Sequence, residues 1–359
     1  MTTLFNPQKP TVDIIAVTGL AGHALGSWKV PNGNAVWLRD WLPQQVSNAR
    51  ILTYGYDSRL LKNKSKCTIE QLASKFLEAL KTSRGSESER QRPIIFIAHD
   101  LGGLLVKSAI AQAGASGINE SQENIDVLKS CYGFLFFGVP NQGLNHQQLK
   151  LMVRGEPNEE LMNALITTCT NEPSEYLKGL HEKLCERFKF NDSQVVSYYE
   201  CYGTKAVKAI GFWEYLQGLL GLGPSVGLGE LHRSGPEVMM VTQASATSGF
   251  ANQKPCDQIP VERDHLNLVK FPSEVDQLYR DVTRRIDNLV LKAPAVVNKR
   301  FSLQFSRSDL SQEEQIYHQQ LAFPELHRRR HEVDNPMEDT CTWIYEQDTN
   351  QKQQHRLMA

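Results

Sequence analysis

Pro93-Ile-Ile-Phe-Ile-Ala-His-Asp-Leu-Gly-Gly-Leu-Leu-Val-Lys107 changes its hydrophobic pattern in the middle. Residues 94–98 are apolar and largely β-branched with no polar interruption, the signature of a strand covered on both faces. Residues 104–113 have the length and pattern of a helix packed on a sheet. Between them, Ala98 and Gly102 supply the small side chains that a sharp strand-turn-helix elbow needs, and the residue lifted at its tip is Asp100. Two roles are open for that aspartate. It is either a nucleophile presented by the elbow or the N-cap of the following helix, a position aspartate fills well.

Outward from this stretch, similar short apolar runs recur at residues 12–17, 50–54, 133–138, 194–199 and 238–241. Alternation of such runs with helical segments predicts a mostly parallel sheet with crossover helices. Residues 69–81 read as a helix opened by Thr68, with Gln71 at the capping-box position. Residues 143–193 are helical in pattern, either a cap over the carboxyl edge of the sheet or ordinary crossover packing. The apolar, glycine-rich FWEYLQGLLGLGPSVGLG at 212–229 cannot form a stable long helix, so 208–230 is read as a lid loop, a membrane-touching loop or a disordered insertion. The main domain is expected to end at residue 290. A linker is expected over 291–310 and a helical, partly disordered tail over 311–359, with one amphipathic helix at 311–321.

Two further titratable residues fall where an elbow nucleophile would need them. Glu200 ends the second strand after the elbow, and His265, in Asp264-His265-Leu266-Asn267, follows the last strand. Nucleophile, acid and histidine then occur in the chain order of the α/β-hydrolase fold. Backbone N–H groups of Leu101, after the elbow, and Leu20, in the turn Thr18-Gly-Leu-Ala-Gly22, are the candidate oxyanion-hole donors. The second turn also fits an ordinary strand-helix connection. The expected architecture is therefore an α/β-hydrolase fold, a mostly parallel sheet flanked by helices, with a short, mainly helical C-terminal tail.

Thr18-Gly-Leu-Ala-Gly-His23, Trp28, Arg50-Ile-Leu-Thr-Tyr-Gly-Tyr-Asp57, the 93–107 stretch, Phe136-Phe-Gly-Val-Pro140 and Asp264-His265 together resemble the serine-esterase/lipase-like α/β-hydrolases. These form the N-terminal effector domain of many fungal NOD-like receptors. The resemblance covers about residues 11–290. The broader group includes phospholipid-remodelling and inositol-deacylating proteins, which implies ester or lipid hydrolysis. In the tail, Leu321-Ala-Phe-Pro-Glu-Leu326, Arg328 and Thr340-Cys-Thr-Trp-Ile-Tyr345 resemble the linker preceding the NACHT NTPase of those receptors, which implies a NACHT receptor as partner. Three positions depart from the family pattern: Asp100 replaces the elbow serine, Thr18 replaces a histidine, and Asn141 follows Pro140 where a histidine is usual.

Composition narrows the remaining classes. The 359-residue chain is 40% hydrophobic and carries a formal net charge of −1, enough apolar content for a large core and no field to attract nucleic acid. Seven cysteines lie singly, without the spacing of a disulfide scaffold. No stretch has the unbroken apolar length of a membrane span and the first ten residues lack a signal-peptide pattern. A cytoplasmic protein acting on a small-molecule or lipid substrate, with no cofactor and no metal, is expected.

An elbow aspartate changes the chemistry. An aspartate side chain free in water titrates at ~3.9, so at neutral pH it is ionised and needs no base to attack. Attack on an acyl carbonyl gives a mixed anhydride with little advantage over the ester. Attack on an alkyl carbon gives a stable ester that water, activated by His265 and oriented by Glu200, can hydrolyse; His99-Asp-Leu-Gly-Gly103 also resembles the elbow of epoxide hydrolases and haloalkane dehalogenases, which use that route. A general-base role for Asp100 and a catalytically degenerate interaction module are the alternatives.

Overall fold

The computed structural model describes residues 1–60, 63–115, 121–145, 149–150, 153–168, 170–209, 231–250 and 253–308. Nine strands are labelled β1 (Thr2–Phe5), β2 (Val12–Val17), β3 (Ala49–Tyr54), β4 (Ile94–His99), β5 (Cys131–Phe137), β6 (Gln194–Glu200), β7 (Thr204–Ala209), β8 (Leu231–Val238) and β9 (Gln258–Val261). Seven of them form one sheet in the order β1-β3-β2-β4-β5-β6-β9. All pairs are parallel except β1 with β3. Every residue of β2, β3, β4 and β5 is buried, as a parallel sheet covered on both faces requires.

The covering helices are α1 (Ile69–Thr82), α2 (Leu101–Ala113), α3 (Gln122–Ser130), α4 (Glu159–Leu165), α5 (Glu175–Arg187), α6 (Gln243–Thr247) and α7 (Gln277–Ser308). Thr68 and Gln71 form the expected reciprocal capping box on α1. On one face, α1, α2 and α5 pack around Phe76, Phe96 and Phe134. On the other, α7 covers Trp28, Trp37, Phe271 and Tyr279, whose rings meet edge to face. Each such buried aromatic side chain stabilises the fold by about 1.5–3 kcal/mol relative to exposure. The strand order, with the elbow after β4 and the last strand on the far edge, is that of an α/β-hydrolase.

Three expectations change, and one open choice narrows. Residues 238–241 are not a sheet strand: β8 ends at Val238 and pairs with β7 in a separate hairpin. The last sheet strand is β9, whose sequence Gln-Ile-Pro-Val is short and carries a proline, a weak strand signal suited to an edge. The segment read as a linker is helical, because α7 continues through Pro294 to Ser308. Tyr279, Val282, Ile286, Val290, Ala293 and Val297 are all buried along it, an unbroken helical stripe. Within 143–193, α5 packs on α2, so it belongs to the crossover layer.

The chain divides into Met1–Phe301 and Ser302–Ala359. Of the second unit, 302–308 is described and continues α7. The lid reading at 210–230 and the tail helix at 311–321 lie outside the described residues. Among the described residues no helix is long and apolar enough to cross a membrane, and no cluster of His, Cys, Asp or Glu is arranged to hold a metal ion.

Candidate active site

Asp100 sits between β4 and α2 with φ 51° and ψ −129°. This conformation is rare for a residue with a side chain and costs of order 1–3 kcal/mol. The turn is forced by packing beside it. A Cβ on Gly102 would stand 2.5 Å from the carbonyl oxygens of Val17 and Thr18, so only glycine lets α2 begin this close to β2. The Asp100 side chain makes no capping hydrogen bond to α2, which removes the N-cap reading.

The carboxylate of Asp100 is instead divided between two neighbours. Its Oδ2 accepts a hydrogen bond from the Leu20 N–H at 2.8 Å. Its Oδ1 is buried, has no hydrogen-bond partner, and lies 3.6 Å from His265 Nε2. The turn that carries Leu20 is itself pinned: the Tyr56 hydroxyl donates to the Thr18 carbonyl at 3.0 Å and the Ser58 hydroxyl to the Gly19 carbonyl at 3.1 Å. Leu101 is the first residue of α2 and fully buried. The Leu20 N–H thus points into the site, but the protein's own carboxylate occupies it.

His265 opens a short turn, His265–Asn267, capped by Asp264, whose side chain accepts from the Asn267 N–H. Its Nδ1–H donates to Glu200 Oε2 at 2.6 Å, while Glu200 Oε1 accepts from the Val241 N–H at 3.1 Å. The His265 N–H donates to Thr204 Oγ1 at 3.0 Å. His99 donates its Nε2–H to the His265 carbonyl at 2.9 Å. Gly138, with φ +56°, makes room for the ring, since a Cβ there would lie 2.8 Å from His265 Cε1. The structure therefore brings together Asp100, His265, Glu200 and Leu20, and adds His99, which belongs to the elbow motif, and Val241 and Thr204, which carry no motif of their own.

Burial opposes charge on His265, but the Asp100 and Glu200 carboxylates outweigh it and push its pKa up to about 10. For Asp100, burial acts in the opposite sense to its partners, and the His265 imidazolium prevails, holding the carboxyl below its usual range. His99 is driven down to about 4 by burial and by the neighbouring His265 charge. The two neighbouring carboxyl groups thus favour the charged form of His265, and burial favours the neutral form of His99.

The space in front is small, about 40 Å³, and is walled by Leu20, Leu60, Leu144, Leu149, Met240 and Leu266. A larger cleft of about 220 Å³ beside Phe188, Phe190 and Phe250 contains none of the site residues. Tyr176, the one tyrosine of the 143–193 segment, turns away to donate to Ser108 Oγ at 3.3 Å.

Asn141, one of the three departures from the family pattern, does not face Asp100. Its Oδ1 accepts from the Lys107 ammonium, and its Nδ2 donates to the carbonyls of Ser245 and Ala246 at 2.7 and 3.2 Å. Lys107 lies 4.8 Å above the Phe136 ring, and burial pushes its pKa down to about 7. Free in an unfolded chain it titrates at ~10.4, so between those values the unfolded state holds the extra proton and stability rises with pH. Relative to Lys107→Met, the native protein is expected to gain at most about 1.4 kcal/mol per pH unit over that window. Urea titrations of both proteins at pH 7 and 9 check this; a constant difference would contradict it. The opposing pH dependence of His265 is common to both proteins and cancels.

No protein-family model matches the chain. It is 26% identical over 294 residues to "Protein SERAC1" of Danio rerio, covering 76% of this chain and 38% of that protein. It is 24% identical over 302 residues to the Homo sapiens protein of the same name, covering 79% of this chain and 40% of the relative. The chain thus spans well under half the length of these curated relatives. Among solved structures it is similar to the mature lipase BlEst2 of Bacillus licheniformis, with a TM-score of 0.43, 12% identity, and coverage of 79% of this chain and 96% of the lipase.

Proposed function

We propose that the domain is a hydrolase that attacks an apolar substrate at an alkyl carbon, with Asp100 as nucleophile. One observation carries this reading: Asp100 is held in a strained elbow with Oδ2 on the Leu20 N–H and Oδ1 buried, unpartnered and facing His265. Oδ1 attacks carbon and the leaving group departs, giving an ester of Asp100. Oδ2 becomes the ester carbonyl oxygen and already rests on the Leu20 N–H, with Leu101 as the second candidate donor. Ester formation also removes one of the two charges that keep His265 protonated. Its pKa falls, and it becomes the base that activates water for attack on Asp100 Cγ, oriented by Glu200.

The same geometry disfavours acyl transfer by the family's usual route. A substrate carbonyl would compete with Asp100 Oδ2 for the Leu20 N–H, and the product would be a mixed anhydride. The small apolar space suits a short alkyl chain. That space, together with the self-occupied Leu20 N–H, also favours a second reading, a binding module without turnover.

Intact mass of His265→Gln after incubation with a short primary alkyl bromide separates the two. The expected result is a stable increment of one alkyl group, mapped to Asp100, while the native protein turns over. An unmodified variant that is folded would overturn the catalytic reading in favour of the binding module.

A further inference from the structure

We infer that the groove along α5, from the Phe188–Phe190–Phe250 cleft to Lys107, is a second binding site, and that it takes a small carboxylate carrying an aromatic ring. Lys107 is 3% exposed. Its ammonium donates to Asn141 Oδ1 and otherwise lies over the Phe136 and Phe250 rings, 4.8 and 5.4 Å from their centroids. No Asp or Glu among the described residues pairs with it, and a buried cation without an anion is costly. An incoming carboxylate offsets that cost. The space in front of the ammonium is about 10 Å³, bounded by Leu104, His181, Leu184 and Gly249, and such a volume admits about one water-sized group. Leu184 also bounds the 220 Å³ aromatic cleft. Asn141, Leu177 and His181 bound a further space of about 170 Å³ on the other side, beside Lys178. Leu177, His181, Leu184, Cys185 and Phe188 recur at helical spacing, so one face of α5 lines all three.

Charge and shape along this face select the same ligand. Lys107, Lys178, His181 and Lys189 contribute basic groups to the three linings, and no Asp or Glu among the described residues does. Phe188 meets Phe190 and Phe250 edge to face, with centroids 5.5 and 5.9 Å apart, and the Arg300 guanidinium lies 4.4 Å over Phe190. Rings held at steep angles offer both faces and edges, the arrangement an inserted aromatic ring prefers. Phe250 walls the cleft and also lies beneath Lys107, so a short spacer joins the acid to the ring. None of these residues lines the space before Asp100, and the site stands whether or not Asp100 is a nucleophile. Binding also moves a proton. Burial holds the Lys107 pKa at about 7, and a carboxylate beside it favours the charged form, so above pH 7 the complex takes up a proton. The other titratable groups facing Lys107 are His181 and Cys185, both on α5.

Naphthylpropionate and naphthylpropionamide, titrated into the full chain by calorimetry, test this. At pH 7 the acid is expected to bind at least about 10-fold more tightly than the amide, as a charged hydrogen bond provides. Lys107→Met is expected to erase that preference and leave amide binding unchanged. Phe188→Ala is expected to weaken both probes about 10-fold or more. From pH 7 to 9 the affinity of the native protein for the acid is expected to fall by up to about 10-fold per pH unit, while that for the amide stays level. The double variant His181→Gln, Cys185→Ser keeps the fall, which assigns it to Lys107. Equal affinity for acid and amide, a preference that survives Lys107→Met, or binding indifferent to Phe188→Ala overturns the inference, as does failure of both probes to bind. If Lys107→Met does not fold, the pH arm on the native protein and the double variant decides alone, and a level profile for the acid overturns the role of Lys107.

Discussion

Asp100→Ser is expected to react with a fluorophosphonate probe to which the native protein is inert. Three changes act together. The serine hydroxyl takes the elbow position, which the approach of Gly102 to β2 imposes whatever side chain stands there. The Leu20 N–H, released from Asp100 Oδ2, becomes available to the phosphonyl oxygen, and one such donor is worth roughly 10²–10³ in rate. His265 retains only Glu200 as an anionic neighbour, so its pKa falls and it can deprotonate the serine. The same substitution is expected to reduce any alkyl-carbon turnover by about 10⁴-fold or more, as loss of a nucleophile does. Gel fluorescence and thermal melting on both proteins check this together. A folded but unlabelled Asp100→Ser protein would mean that the oxyanion donors or the base are not in working order.

Asp13→Ala is expected to destabilise the domain by about 3–5 kcal/mol, the usual cost of stranding buried charges. Asp13 is fully buried on β2. Arg50 grips it with Nε and Nη2, both at 2.8 Å, Arg92 adds Nη1 at 2.9 Å, and Arg84 completes the cluster. Removing one carboxylate leaves three guanidinium groups, of which Arg50 keeps an ion pair with Glu89 at 3.1 Å, with Arg92 near the same carboxylate. For a domain of this size the melting temperature is expected to fall by about 10 °C. Breaking the exposed Arg59–Asp57 pair supplies the contrast and is expected to cost less than about 1 kcal/mol. Equal small losses at both sites, measured by urea unfolding, would refute the expectation.

Features governed by local chemistry were legible in the sequence. The strand before Asp100, the small residues that shape its turn and the Thr68–Gln71 box each depend on residues a few positions apart. The order Asp100, Glu200, His265 was readable for a related reason, since parallel strands set their carboxyl ends side by side. Features fixed by distant packing were not legible. The strand Gln258–Val261 has little intrinsic strand character and exists because β6 offers it an edge. Residues 291–310 read as a linker, yet the buried stripe through Ala293 and Val297 carries the helix past Pro294. The occupation of the Leu20 N–H by Asp100 has no sequence signal, because it depends on how two turns meet. Thr18, Asp100 and Asn141 stood out together as departures from one pattern, but Asn141 serves Lys107 and Thr18 is buried with its hydroxyl unpartnered.

The position of β9 has a mechanical consequence. Asp100 is rooted between central strands, whereas His265 follows a four-residue margin strand that pairs with β6 alone and buries only Val261. Segments with few buried contacts open locally at a lower free energy than the global transition. Displacement of His265 by fraying of that margin is therefore expected before the support under Asp100 gives way. On the proposed function, heat would end turnover while most of the sheet remained intact, and a ligand bridging Asp100 and His265 would protect activity more than it raised the global melting point.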